Sequence, residues 1–254
     1  MIFETHAHYD DEAFDEDREE LLAALEEQGI GWVVNIGASL ASCKQTIALM
    51  ESYPFIYGAL GIHPSETAEL DETAFSWLKE QCAHSKCVAV GEIGLDYHWQ
   101  EPEREIQKKW FVRQLEMAEE LKKPVVIHSR DAAEDTVDIL KGHKGQSGGV
   151  IHCFSYTKET AKTFLDMGFY IGIGGVVTFK NAKKIKEAVE YIPLDRIVVE
   201  TDSPYLAPEP YRGKRNSSLY LPYIIEEIAA LKGLSPGQVE ETAWQNAQNL
   251  YHFM

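Results

Sequence analysis

The sequence is short of three features, and each shortage argues against a class of protein. No apolar run approaches the roughly 20 residues that a membrane-spanning helix needs, so no membrane segment is expected. The N-terminus lacks a basic segment followed by an apolar one, which argues against a signal peptide. Four cysteines are scattered through 254 residues without zinc-knuckle spacing, as is typical of the reducing cytosol. We therefore expect a cytoplasmic protein with no membrane partner.

Basic residues are also scarce. The chain has 24 Lys and Arg against 41 Asp and Glu, which gives a formal net charge of −17 at pH 7. Extended binding of duplex DNA depends on many phosphate contacts from basic side chains and is not expected here. Local basic groups and bound divalent cations, which the formal charge omits, remain compatible with an anionic substrate.

The hydrophobic pattern predicts an α/β fold, a (β/α)8 TIM barrel. Eight short apolar strands alternate with helices, and most strands lack alternation, as expected when both faces of a parallel sheet are covered. Eight such units in 254 residues fit one barrel domain spanning residues 1–254. Two helices close the chain, over about 219–232 and then after the capping box Ser235-Pro236-Gly237-Gln238. A monomer is the default expectation for the assembly.

A doubly wound open sheet is the competing architecture. It predicts one crevice that draws on few strand ends, whereas a barrel gathers all its strand ends at a single mouth. Polar residues with metal-binding side chains follow, or lie at, the ends of six predicted strands: His6 and His8, His63, Glu92, His128, His152 and Asp202. An open sheet would spread several of these residues apart, so this distribution favours the barrel.

The stretch Glu4-Thr5-His6-Ala7-His8 begins this series. Side chains two residues apart in a strand point the same way, so His6 and His8 are predicted to face one point, as two ligands of one metal must. Taken alone, such a pair is more often two surface histidines. Likewise His63 alone can cap a strand and Glu92 alone can pair with a lysine, but one metal site explains all these positions together.

The types of ligand indicate two metals. Four histidines and two carboxylates are too many for one tetrahedral zinc with an open position, but they fit a pair that shares a bridging carboxylate and hydroxide. Glu92 is the natural bridge because a carboxylate has two oxygens. We expect His6 and His8 to hold one metal and His128 and His152 the other. We expect Asp202 to be a ligand and to take the proton from an attacking water, which is metal-assisted hydrolysis.

Longer stretches around these residues form a set. They are His6-Ala7-His8, Gly61-Ile62-His63-Pro64, Gly91-Glu92-Ile93-Gly94-Leu95-Asp96-Tyr97, Ile127-His128-Ser129-Arg130-Asp131-Ala132, His152-Cys153-Phe154-Ser155 and Glu200-Thr201-Asp202-Ser203-Pro204-Tyr205-Leu206. The set resembles the signatures of the TatD family of metal-dependent deoxyribonucleases, which are amidohydrolase-like TIM barrels of the metallo-dependent hydrolase type. The resemblance extends to the loop Arg212-Gly213-Lys214-Arg215-Asn216 and is nearly full length.

The resemblance implies a ligand set, a cofactor and a reaction. It implies two divalent ions (Mg²⁺, Mn²⁺ or Zn²⁺) and hydrolysis of DNA phosphodiesters, often by 3′ to 5′ trimming of single strands. Asp202 and Glu92 are the expected catalytic residues. Some relatives hydrolyse D-aminoacyl-tRNA esters, so aminoacyl-tRNA is the alternative substrate; a metal-dependent binding protein without turnover is a third hypothesis. The implied metal ligands are His6, His8, Glu92, His128, His152 and Asp202.

The substrate is expected to meet a set of polar and aromatic side chains near the mouth. Basic groups are expected at Lys180, Lys183 and Lys184 and in the loop at 212–215. Aromatic side chains that can stack an unpaired base are Tyr97, Phe154, Tyr205 and Tyr211. The residues predicted to bind substrate are His63, Arg130, Tyr205, Arg212 and Lys214.

The sequence departs from the usual TatD pattern at three places. Glu4 and Tyr9 stand where aspartate and leucine are usual, and Ser217-Ser218 follows Asn216 in place of Glu/Gln-Pro. None of these positions is a predicted metal ligand.

Overall fold

The parallel sheet of this protein closes into a barrel. The computed structural model describes residues 1–143 and 148–253, and within these ranges eight strands pair in sequence order. They are β1 (Ile2–Ala7), β2 (Ile30–Ile36), β3 (Ile56–Leu60), β4 (Cys87–Asp96), β5 (Val125–Arg130), β6 (Gly149–Ile151), β7 (Tyr170–Ile173) and β8 (Ile197–Val199). A parallel bridge from Ala7 to Ser203 and a hydrogen bond from the Asp202 N–H to the His6 carbonyl (2.9 Å) connect the last strand to the first. The predicted barrel is therefore confirmed, and the open sheet is excluded.

Helices alternate with the strands and cover the outside of the barrel. Over the described ranges the α-helices are α1 (Arg18–Glu27), α2 (Leu40–Ser52), α3 (Glu72–Gln81), α4 (Arg104–Leu121), α5 (Ala133–Gly142), α6 (Lys158–Asp166), α7 (Lys183–Tyr191), α8 (Leu221–Lys232) and α9 (Pro236–Leu250). The predicted capping box forms at α9, where Ser235 accepts from the backbone of Gln238 and the Gln238 side chain accepts from the backbone of Ser235. None of the described helices is both long and apolar enough to cross a bilayer.

The barrel is closed at the N-terminal ends of its strands. Small and β-branched side chains, including Ala59 and Ala89, form one buried cluster with residues at the end of α9. Beneath them the Phe3, Trp32 and Phe253 rings pack with centroids 4.8 to 5.7 Å apart. Because this end is filled by apolar rings, the opposite end, at the carboxyl ends of the strands, is left for a site.

Strand β4 is longer than the sequence pattern predicts. Its apolar run ends at Gly91, but the strand continues to Asp96 because that residue still pairs with Arg130 of β5. Glu92 therefore lies in the middle of a strand, and the prediction that it follows a strand end was wrong.

Candidate metal centre

The predicted ligands meet in one cleft at the carboxyl ends of the strands. The cleft has a volume of about 740 Å³ and is lined by residues that include Glu92, His128, His152 and Asp202. A depression of about 810 Å³ against α1 and α2 has acidic and polar walls but contains no histidine. The strand-end cleft is therefore the candidate site.

Two of the strands that carry predicted ligands pair irregularly with their neighbours. Between Val90 and Ile93, β4 advances three residues while β5 advances two, and Glu92 lies in this shift. Strand β1 has the same irregularity against β2 between Glu4 and Ala7, where His6 lies. An extra residue in one strand of a pair bends that strand and redirects its side chains, as often occurs beside active sites.

Four side-chain atoms converge at the end of β1. The Nε2 atoms of His6 and His8 lie 3.2 Å apart, and Nε2 of His6 is 3.5 Å from Oε2 of Glu92. Oδ1 of Asp202 is 3.6 Å from Nε2 of His6 and 3.4 Å from Nε2 of His8. Ligand atoms about 2.0–2.1 Å from a tetrahedral metal are roughly 3.4 Å apart, so the donor spacing fits one divalent cation.

A second group of ring nitrogens surrounds the other oxygen of Glu92. Oε1 lies 2.7 Å from Nδ1 of His128, 3.0 Å from Nε2 of His152 and 4.0 Å from Nε2 of His63. Glu92 therefore presents Oε2 to the imidazoles of His6 and His8 and Oε1 to a separate set of imidazoles. His63 is the most distant of the three from Oε1 and lies at the edge of this group, where the sequence predicts a substrate contact.

Two further carboxylates hold the histidine rings, and the sequence interpretation missed both. Oδ2 of Asp96 lies 3.0 Å from Nε2 of His128, and Oε1 of Glu200 lies 3.3 Å from Nδ1 of His152. Carboxylates behind metal-binding histidines fix the orientation of the ring and make it a stronger ligand. Both lie inside stretches already singled out, so their position directly after apolar strand residues was the available signal.

The ring of His8 is fixed by the backbone. Its Nδ1 lies 2.9 Å from the carbonyl oxygen of Ile36, so Nδ1–H donates there and Nε2 is left facing the cluster. This arrangement selects the tautomer that a metal ligand requires.

The sequence matches the family profile described as TatD related DNase over residues 3–252. The chain belongs to the TatD family. A relative from Bacillus subtilis (strain 168), named uncharacterized metal-dependent hydrolase YabD, is 42% identical over 252 residues, which cover 99% of each chain. This TatD-family chain is therefore a metal-dependent hydrolase, and the donor groups in its cleft are the residues that can hold the metal.

Two further similarities concern activity and fold. A Cronobacter sakazakii relative named 3′-5′ ssDNA/RNA exonuclease TatD is 31% identical over 245 residues, which cover 94% of this chain and 93% of that one. The crystal structure of YjjV, a TatD homologue from Escherichia coli, superposes with a TM-score of 0.94 at 28% identity and covers 100% of this chain and 98% of that one.

Backbone strain singles out Asp202 among the TatD cleft residues. Its φ of 58° lies in the left-handed region, which residues other than glycine seldom adopt. The strained conformation is held by its N–H, which donates to the His6 carbonyl, and by its own carbonyl, which accepts from the Tyr205 N–H at 2.9 Å. Strain of this kind persists only when surrounding contacts enforce it, and it marks functional positions.

The carboxylates and imidazoles of the cleft shift one another's pKa values. Burial opposes ionisation of Glu92, but the charge of His152 and hydrogen bonds from the surrounding imidazoles hold its pKa well below the usual range. Burial also opposes charge on His8, yet the hydrogen bond and charge of Asp202 raise its pKa to about 9. Burial lowers the pKa of His63 to about 3. Protonated imidazoles thus offset the carboxylates, and a divalent cation would displace those protons.

The three departures from the TatD pattern contact one another. The Ser218 hydroxyl donates to Oε2 of Glu4 (2.8 Å), the Tyr9 hydroxyl donates to Oγ of Ser218 (2.7 Å), and the Ser218 N–H donates to the Tyr9 oxygen (2.9 Å). Oε1 of Glu4 accepts from the N–H groups of His6 (3.2 Å) and Thr201 (2.9 Å). The buried network therefore ties the strand that carries His6 to the segment after β8.

The predicted substrate residues fall into two sets. His63, Arg130 and Tyr205 line the cleft, whereas Arg212 and Lys214 are not among its lining residues. The Arg212 guanidinium instead lies over the Phe179 ring, 4.3 Å from its centroid. The neighbouring Arg215 pairs with Asp17 on the outer surface. The cleft is lined neither by Arg215 nor by the lysines at 180, 183 and 184.

Most of the aromatic side chains proposed to stack a base are already buried or in contact with other side chains. Phe154 is buried, and the Tyr211 ring stacks on Tyr220 with centroids 4.2 Å apart. Tyr97 is partly covered and its hydroxyl donates to Asp135. Tyr205 alone of this set is both exposed and part of the cleft.

Proposed function

We propose that this TatD-family hydrolase is a two-metal phosphodiesterase that trims the 3′ ends of single-stranded nucleic acid, with DNA as the leading substrate. One observation carries the proposal: the two oxygens of Glu92 face two separate groups of ring nitrogens. A carboxylate in this position suits a pair of cations, and paired cations are a common means of hydrolysing phosphodiesters. The printed name of the Cronobacter sakazakii relative supports the same reaction class.

In this proposal each metal has its own ligands. His6 and His8 would hold one ion, His128 and His152 would hold the other, and Glu92 would be shared between them. Asp202 completes the first group, since its Oδ1 lies within 3.6 Å of Nε2 of both His6 and His8. When bound, two divalent ions would lower the pKa of water and stabilise negative charge on a phosphoryl oxygen.

The remaining roles belong to side chains of the cleft. The hydrogen bond from His8 and nearby positive charges outweigh burial and lower the Asp202 pKa, so this carboxylate is ionised and can accept a proton from water. Arg130 is assigned to a substrate phosphate because a planar guanidinium matches two phosphate oxygens. His63 and Tyr205 are assigned to the substrate end that enters the cleft.

The test is cleavage of a 5′-labelled single-stranded 20-mer with Mg²⁺ or Mn²⁺. A ladder that shortens from the 3′ end is expected for the wild type. Asp202→Asn keeps the side-chain size but removes most of the proton acceptance, and it should lower kcat at least about 100-fold.

Metal content provides an independent readout. The double variant His6→Ala/His8→Ala should bind one metal fewer per chain while its far-ultraviolet circular dichroism stays that of the wild type, because the barrel core does not include these imidazoles. If the 20-mer stays intact with both Mg²⁺ and Mn²⁺ while the protein releases amino acid from D-aminoacyl-tRNA, the phosphodiesterase is rejected in favour of ester hydrolysis.

A further inference from the structure

The loop after β4 places a large aromatic side chain beside the metal centre. Trp99 is 57% exposed, more than any other aromatic side chain in the described part of the chain. Trp99 nevertheless lines the same cleft as Glu92 and Asp202. An exposed tryptophan in such a cleft offers a flat face on which an unpaired base can stack.

The base of this loop is held in place. The His98 N–H donates to Oδ1 of Asp96 at 2.9 Å, and the Gln107 amide donates to the carbonyl oxygens of Asp96 (3.0 Å) and Pro102 (2.9 Å). The His98 and Trp99 rings pack in a T-shaped arrangement with centroids 4.8 Å apart and an interplanar angle of 84°. The indole is therefore presented on an anchored loop, which lowers the entropy cost of binding against it.

The cleft that Trp99 lines also contains a cation that forms no ion pair with any described residue. Arg130 is exposed at the end of β5, pairs in register with Asp96 of β4, and lines the cleft together with Trp99. Among the described residues it makes no ion pair and no cation–π contact, unlike Arg212 and Arg215. The cleft thus combines an exposed tryptophan with a guanidinium that has no ion-pair partner among the described residues, and a nucleotide combines a flat base with a phosphate.

We propose that Trp99 is the stacking platform for an unpaired nucleobase next to the scissile phosphate, with Arg130 on the adjoining phosphate. This inference rests on the proposed phosphodiesterase function and adds the reason for single-strand preference. Every base has a flat face, so stacking accepts any sequence. Bases inside a duplex are paired and stacked on both faces, so seating a single unpaired base on the tryptophan beside the scissile phosphate requires a frayed or single-stranded end.

The experiment compares two single-stranded 10-mers, one natural and one whose two 3′-terminal nucleotides lack bases. Trp99→Ala should lower kcat/KM for the natural strand about tenfold, mainly by raising KM. It should change kcat/KM for the abasic strand less than about twofold. Trp99→Phe should retain most of the wild-type activity. Tyr191→Ala, which removes an exposed aromatic ring outside the cleft, is the matched control and should behave as wild type.

Equal losses on both strands, or no loss on either, would overturn the stacking role. Quenching of tryptophan fluorescence by (dT)4, absent in Trp99→Ala, tests binding apart from turnover. Quenching without cleavage would retain the base site and reject the phosphodiesterase. Cleavage that is indifferent to Trp99 would retain the phosphodiesterase and reject the base site.

Discussion

At the scale of single residues, the centre depends on carboxylates that hold rings as much as on the ligands themselves. Oε1 of Glu200 accepts from the Cys153 N–H at 2.5 Å and lies 3.3 Å from Nδ1 of His152. Gly172 of β7 leaves room for this buried carboxylate, because a Cβ at that position would collide with it. Glycine in this strand therefore has a packing role, not the phosphate-binding role of a glycine-rich loop.

We predict that Glu200→Gln weakens metal binding without unfolding the barrel. The amide can still accept from the Cys153 N–H, but it lacks the charge that strengthens His152 as a ligand, so metal affinity should fall about 10- to 100-fold. Competition with a fluorescent chelator measures the loss. Glu226→Gln, at an exposed position of α8, is the control. Equal affinities of the two variants would mean that Glu200 does not tune the site.

The sequence pointed to the candidate ligands more directly than to the carboxylates that support them. The strand-end positions of His6, His128 and His152 followed from apolar runs, because parallel strands of a barrel end at one mouth. The role of Asp96 depends on how the His128 ring is turned, and no residue pattern encodes that rotation. The side chains of Arg212 and Arg215 likewise follow local partners, Phe179 and Asp17, that only the folded chain brings near.

At the scale of elements, α4 completes the strand ends that carry the site. Its buried Gln107 and Gln114 are seven residues apart and so lie on one helix face. The Gln114 amide pairs with the N–H and carbonyl of Ile62 (2.7 and 3.2 Å), and that of Gln107 pairs with those of Asp96 (2.9 and 3.0 Å). Two glutamines thus satisfy backbone groups where β3 and β4 leave the sheet.

Replacing the Gln107 amide with an apolar group of similar size should show how much stability its hydrogen bonds to Asp96 contribute. Gln107→Leu leaves the Asp96 N–H and carbonyl buried without their partner, which should lower the free energy of unfolding by about 1–3 kcal/mol. Urea denaturation measures the change. Gln45→Leu, at an exposed position of α2, should shift stability by less than about 0.5 kcal/mol. Comparable effects of the two substitutions would show that the buried amide is replaceable.

The hydrophobic pattern predicts the order of the strands and helices but not the irregularities in their pairing. The order of strands and helices followed from apolar runs, turn residues and the capping box. The irregular pairing around Glu92 did not, because an extra residue in one strand is defined by its partner strand and leaves no local signal. That irregularity is also what directs Glu92 into the cleft, so the least predictable backbone carries a central side chain.

At the scale of the whole molecule, the net charge opposes the proposed substrate. The chain carries a formal charge of −17, and the cleft is lined by carboxylates with one arginine. The carboxylates are Asp10, Asp11, Glu66, Glu92, Asp96 and Asp202. A polyanion therefore approaches against a long-range repulsion, and attraction is confined to Arg130 and to cations bound in the cleft.

This balance predicts an unusual response to salt. Raising ionic strength shortens the range of charge interactions from about 30 Å at 0.01 M to about 10 Å at 0.1 M, so it should weaken the repulsion more than the short contacts inside the cleft. At saturating metal, kcat/KM for a single-stranded 20-mer, divided by that for a dinucleotide, should therefore rise with NaCl. A basic nucleic-acid-binding surface would give the opposite slope, because salt competes with its phosphate contacts. A ratio that falls several-fold over this range would reveal an extended cationic path outside the cleft. It would contradict the view that only Arg130 and cations bound in the cleft attract the substrate.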